Sequence, residues 1–578
     1  MRFLRWHAVA WFAAALSVLP HAVHSQTALP PTSDGETAPP AVELNSRILF
    51  QILAADLALQ RGEVRAAWAT YLSLARQTRD PRLARRSTEI ALSARALNEA
   101  AESAQLWLEL SPDSPSAGQI AETLLLASRQ PEAAETLVSA RLARARQDGR
   151  LAQAYDELQR HLGRSPDAAA AWRLIQRLSA PDLKVAQARM ARAVIAALAQ
   201  QTEAARAELR AALALAPEST PLALSAARLL AARLQAREEA LALLEKTAAR
   251  VPQDPEVAEL SARVLVALGR ETEALDQFAR ALKLAPREPG LLLAAGQLAQ
   301  QLRRSTVARQ YIDTYLELSP EDRREREQAL LLRARIAEDE RKPDEARAWL
   351  ERIPRGELYL TSLTRRATLL ARQGRLAEAR ALFQTEPASD DDARARLISA
   401  EASALREAQL DQLSFEVLEQ GIQTLPDRID LLYDHGMAAE RVNRIDLMER
   451  SMKQVIALKP DHAHAHNALG YTWADRNMRL DEARALITRA VELSPDDGHI
   501  LDSMGWVLFR LQDLQGALVW LNKAWGLSPD AEIGAHLGEV LWALGQRKQA
   551  QEIWRQARTR DPDNKVLAST LARLGARP

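Results

Sequence analysis

Three histidines, His462, His464 and His466, alternate with Asp461, Ala463 and Ala465 at the start of a helical stretch. Imidazole is a common metal ligand. Four residues apart, His462 and His466 share one helix face and suit a common ion, whereas His464 points away. No second Glu or His motif completes a ligand set, so these residues read as a solvated helix start and no metal site is assigned. The acidic run Ser389-Asp390-Asp391-Asp392 likewise reads as a solvated loop. Catalytic chemistry is equally thin. The absence of cysteine removes thiolate nucleophiles, thiolate metal sites and disulfides. There is no glycine-rich phosphate loop, no HExxH helix and no Gly-x-Ser-x-Gly elbow. The chain is expected to hold no catalytic residues and no cofactor, and to act on no small-molecule substrate. It does not read as an enzyme.

Composition points to one long helical body. Basic and acidic residues balance at 76 each, so bulk charge favours neither nucleic acid nor an anionic membrane surface as partner. Leu, Ala, Glu and Arg dominate and aromatic residues make up 4%, as long helices require. The first residues stand apart from the body. Arg2 and Arg5, the apolar run Ala8–Leu19 and the small-residue site before Gln26 suit a secretory signal over 1–25. Residues 26–45, rich in Pro, Thr and Ser, read as a flexible tether.

The body is punctuated. Between Pro460 and Pro529 two units repeat, Leu469-Gly470 … Ala483 … Ile487 … Ala490 … Pro495 and Met504-Gly505 … Ala517 … Leu521 … Ala524 … Pro529. Each is an amphipathic helix, a polar turn, a second helix and a closing proline, the tetratricopeptide pattern. Gly470 with Ala483, and Gly505 with Ala517, let two helices approach where larger side chains would hold them apart. Taking the small residue of each second helix as marker gives Ala67, Ala100, Ala133, Ala169 and Ala205, and so on through Ser414, Met448, Ala483 and Ala517 to Ala550. The mean interval is about 34.5 residues, against 34 for a tetratricopeptide repeat. The expected fold is all-α: a right-handed superhelical α-solenoid of about fifteen such repeats over 46–562, with the best matches in 460–562. A capping helix and tail fill 563–578. Such an array escapes the usual limit on domain size because each unit contacts only its neighbours. The interval from Ala308 to Ala346 is long, and a looser joint is expected at Pro387–Arg396.

In a tetratricopeptide superhelix the first helices line the concave face, and residues one and four past the Gly of the Leu-Gly pair point into it. Those positions bring Tyr471, Trp506, Phe509, Glu539 and Trp542 together, with Asn467, Asp502 and Arg510 beside them. Two readings stand. The rings form an aromatic stripe that anchors a protein partner, or they fill gaps between adjacent first helices. Trp473, Trp520 and Trp554 fall at consensus core positions and are expected to be structural.

The C-terminal wording His466-Asn467-Ala468-Leu469-Gly470-Tyr471-Thr472, Ile500-Leu501-Asp502-Ser503-Met504-Gly505-Trp506-Val507 and Ala535-His536-Leu537-Gly538-Glu539 resembles a family of exported proteobacterial tetratricopeptide-repeat proteins that includes the LbcA protease adaptor. The resemblance is specific over roughly Pro460 to Ala550. It implies a periplasmic scaffold, peripheral to the outer membrane. Such a scaffold would bring a PDZ-containing C-terminal processing protease to its substrates, the cell-wall (peptidoglycan) hydrolases. LbcA-like proteins are lipoproteins, and this chain has no Cys to acylate, so a soluble periplasmic form, or one keeping an uncleaved N-terminal helix, is expected. The alternative is a scaffold in an envelope polysaccharide-export or secretion assembly.

Overall fold

The computed structural model describes residues 45–577 apart from 129–130 and 319–320. The expected signal segment and nearly all of the tether lie outside the described residues. Within them are thirty-one α-helices, numbered α1 to α31 in chain order, and no strand. Odd-numbered helices are the first of each pair and even-numbered the second, from α1 (Ser46–Gln60) and α2 (Val64–Thr78) to α29 (Ala531–Ala543) and α30 (Arg547–Arg560). That makes fifteen pairs, with α31 (Lys565–Leu574) left over. The fold is a tetratricopeptide solenoid.

Local chemistry sets the boundaries. A residue before proline is pushed out of the helical region because the ring clashes with its backbone. Accordingly Ser111, Ala216, Val251, Ser494 and Asp561, each preceding a closing proline, leave their helices at φ between −121 and −144°. Two residues past each of those prolines stands the cap of the next helix. Ser114, Ser219, Asp254, Asp497 and Asn564 accept backbone N–H groups of the first turn, satisfying donors that the helix itself leaves open. Proline and cap together form the joint between repeats.

Thirteen of the fifteen marker residues are buried, as close packing requires. Ala133 and Ala169 are exposed instead, and their neighbours Ala134 and Ala170 take the contact. In the first case a 3-10 turn, Pro131–Ala134, precedes α6 (Glu135–Gln147) and shifts the register by one. In the second, α8 (Ala168–Leu178) opens on four alanines, among which side-chain size cannot choose.

The helices divide into two compact units, one ending at Leu318 and one beginning at Ser319. The division falls inside the long Ala308–Ala346 interval. The expected joint at Pro387–Arg396 is interior to the second unit. There Asp390 caps α21 (Asp391–Glu407), and Arg428 forms an ion pair with Asp392. The acidic run therefore serves a helix start and a packing contact.

Glycine matters most where the two helices of a pair touch. A Cβ on Gly470 would lie 2.9 Å from the Ala483 carbonyl oxygen and 2.7 Å from Cγ1 of Ile487. Gly470→Ala is expected to cost about 1–3 kcal/mol through overpacking. Gly118, also helical, has no neighbour closer than 4.0 Å to such a Cβ. Gly118→Ala should stabilise by about 0.5–1 kcal/mol, since helical glycine carries extra chain entropy. Denaturant midpoints of the two variants, measured against the unmodified chain, check both signs.

Candidate protein-binding face

The second unit ends in the first helices α25 (Ala463–Asp475), α27 (Gly498–Arg510) and α29, followed by α31. All eight residues of the expected site lie on the first three. α25 packs on α27, α27 on α29, and α29 on α31, so side chains about one repeat apart in sequence meet in space.

The innermost contact is ionic. Nδ1–H of His536 donates to both carboxylate oxygens of Asp502, at 3.0 and 2.9 Å. The two residues are 2% and 5% exposed. The Trp506 indole stacks on the His536 ring, centroids 4.1 Å apart and 21° between planes, and on Phe509 at 5.2 Å. Its Nε1–H donates to Asp475 at 3.3 Å. Arg510 lies over the same indole and donates to the carbonyl oxygens of Ala474 and Asp475 at the end of α25. Farther along, Glu539 takes Arg573 of α31 at 2.5 Å. Tyr471 reaches past α27, its hydroxyl donating to Glu532 of α29 at 3.1 Å. Trp542 leans on Trp554 at 5.5 Å under the Arg547 guanidinium.

Burial among acids shapes the titrations here. Desolvation lifts the Tyr471 hydroxyl far above its ordinary range, and Glu532, Asp502 and Asp475 push the same way. Glu532 is raised because burial outweighs the His536 charge and the Tyr471 hydrogen bond. For His536, burial alone would lower the value. The Asp502 charge and hydrogen bond, with Glu532 and Glu539, carry it above the usual histidine range.

The expected stripe is therefore narrower than its sequence positions imply. Asn467, Tyr471, Phe509, Arg510 and Trp542 are half-buried and reach the surface, but Asp502, Trp506 and Glu539 are buried. Trp506 fills the space between adjacent first helices, its flat ring lying on His536 of α29 while its N–H reaches Asp475 at the end of α25. Trp473 and Trp554 lie in the core as expected, and Trp520 is half-buried against it. Sequence reasoning missed His536, Glu532, Asp475 and Arg573. One signal was present: Asp502 and His536, and Glu539 and Arg573, are opposite charges 34 residues apart, one repeat length.

The histidine run separates by role. His462 caps α25, its Nδ1 accepting the Ala465 N–H at 3.1 Å, and stacks on Tyr433. His466 is buried with Nε2 3.0 Å from the Pro460 carbonyl oxygen. Among the described residues no group of three His, Asp or Glu is placed to hold a metal ion. A groove of about 300 Å³ lies elsewhere in the second unit, where Arg347 and Arg366 share Glu351. No helix of the described residues is long and apolar enough to cross a membrane.

Residues 224–289, 293–357 and 433–498 match the family described as Tetratricopeptide repeat. The TPR repeat-containing protein PA4667 of Pseudomonas aeruginosa is 39% identical over 207 residues, 36% of this chain and 35% of that one. Protein FlbA of Caulobacter vibrioides is 26% identical over 145 residues, 24% of each. The matched stretch thus spans about a third of the first relative and a quarter of the second. Among solved structures, a thermophilic TPR protein from Thermus thermophilus is similar at 18% identity and a TM-score of 0.29, covering 31% of this chain and 99% of that one. A tetratricopeptide repeat protein from Parabacteroides merdae gives 16% and 0.32, with 43% and 97% covered.

Burial separates two tryptophans that share an expectation. Trp506→Ala should cost about 3–5 kcal/mol, the range for an aromatic ring removed from a core, and expose amides of α25, α27 and α29 to hydrogen exchange. Trp542→Ala should cost less and leave α25 protected. Hydrogen exchange resolved by mass spectrometry distinguishes the two.

Proposed function

We infer that this chain of tetratricopeptide repeats is a non-catalytic protein-interaction scaffold, exported to the periplasm. There it acts as an adaptor bringing a C-terminal processing protease and its cell-wall hydrolase substrates together. The observation that carries the scaffold reading is the near-unbroken succession of helix pairs, which leaves no room among the described residues for a separate catalytic domain. The adaptor reading draws on the wording of α25, α27 and α29 and on the leading basic and apolar segment. The partner contacts the half-buried residues Asn467, Tyr471, Phe509, Arg510 and Trp542. Asp502, Trp506 and Glu539 lie behind them and hold the surface in shape.

An adaptor with no chemistry of its own raises effective concentration by holding two partners on one body. Hydrolase degradation by the protease should therefore rise as this chain is added and fall again in large excess, when protease and substrate occupy different copies. A reconstituted reaction with purified protease and hydrolase measures this. A rate that is flat throughout would exclude the adaptor role. Trp542→Ala combined with Phe509→Ala should lower partner affinity at least tenfold, which is about 1.4 kcal/mol, with the helical content unchanged by circular dichroism.

A further inference from the structure

Two buried histidines of the second unit share an exposure of 2% and differ in what they face. His435, on α23 (Ile429–Arg441), has Nδ1 2.8 Å from the Ser451 hydroxyl and rests on Phe415 at 5.1 Å. No carboxylate offsets its burial, which pushes it down to about 4. His536 is enclosed by acids. Asp502 of α27 binds it, Glu532 and Glu539 of its own helix act on it, and Tyr471 of α25 packs against its ring at 6.2 Å. The cations nearby are engaged: Arg573 of α31 is on Glu539, and Arg510 of α27 is on two carbonyl oxygens. Asp475 of α25 accepts from Trp506.

We propose that the Asp502–His536 pair is a proton-operated latch holding the last three helix pairs together. With its second proton, the imidazolium is the buried cation that balances Asp502 and the neighbouring carboxylates. Without it, Asp502, Glu532 and Glu539 face one another with only the Arg573 guanidinium bound among them, and the Nδ1–H bond between α29 and α27 remains as a neutral donor's, stripped of the charge that strengthens it. The Trp506 ring, stacked on His536, loosens to the extent that α29 moves from α27. The latch stands on the contacts among α25, α27, α29 and α31, and does not depend on which partner the face receives.

The direction follows from linkage. Folded His536 holds its proton more tightly than an unfolded histidine, whose value is about 6.5. Its contribution to stability is full below that pH and is lost as pH rises through the folded value. Glu532, also raised, acts with the same sign from a lower starting point, about 4.3. Alkaline conditions should therefore loosen α25–α31 ahead of the rest.

The test is an NMR titration of the full chain with labelled histidine, paired with hydrogen exchange corrected for intrinsic rate between pH 6 and 9. One imidazole should stay protonated past the ordinary histidine range, and its signal should vanish in His536→Asn. Protection in α27 and α29 should fall at least tenfold on the alkaline side, while α1 to α16 hold theirs. Asp502→Asn should return His536 to the ordinary range or below. Should these variants fail to fold, the ring-current shift from Trp506 marks His536 in the unmodified chain. An imidazole so marked that titrates at or below the ordinary range, or exchange that rises equally in both units, overturns the proposal.

Discussion

Each repeat depends on a near-contact between the backbones of its two helices. At Gly470 and Ala483 the helices are close enough that a methyl group on the glycine would press on a carbonyl oxygen. That proximity is what lets a pair only about a dozen residues long per helix bury a continuous apolar face. Isolated helices of this length are marginal in water, so each pair is stable only when its neighbours complete the burial. Small residues at one position of every second helix carry this condition through most of the chain. Where the register slips, at Ala134 and Ala170, the small residue slips with it and the contact survives.

The same periodicity organises the polar groups. Because first helices pack on first helices, a residue meets its counterpart one repeat away. Asp502 with His536 and Glu539 with Arg573 are one device used twice. Buried ion pairs rarely add much net stability, since desolvation offsets the attraction. Their better-attested use is to fix register, and here Asp502 with His536 matches a face of α27 to α29, while Glu539, buried under a more exposed Arg573, does the same for α29 and α31. The aromatic residues then divide by depth: Trp506 and Trp554 are enclosed, while Phe509 and Trp542 remain at the surface.

Much of this was legible in the residues. Prolines every 34 or so positions, and a small residue followed by apolar residues four and seven positions on, determine the helix pairs without reference to three dimensions. Fold and repeat number followed from spacing alone. The placement of Asp502, Trp506 and Glu539 did not, because position relative to a Leu-Gly pair says which way a side chain points and not whether the next helix covers it. The division after Leu318 was also hidden. A long interval and an acidic run looked alike as candidates, and Asp390 turned out to be a helix cap. A search for opposite charges at the repeat length would have found His536 and Arg573.

The most direct measurement is affinity capture of the chain from its own cells, with mass spectrometry of what it retains. The account predicts a PDZ-containing processing protease together with at least one peptidoglycan hydrolase, both diminished when Phe509 and Trp542 are replaced. Retention of polysaccharide-export or secretion components with no protease would contradict it.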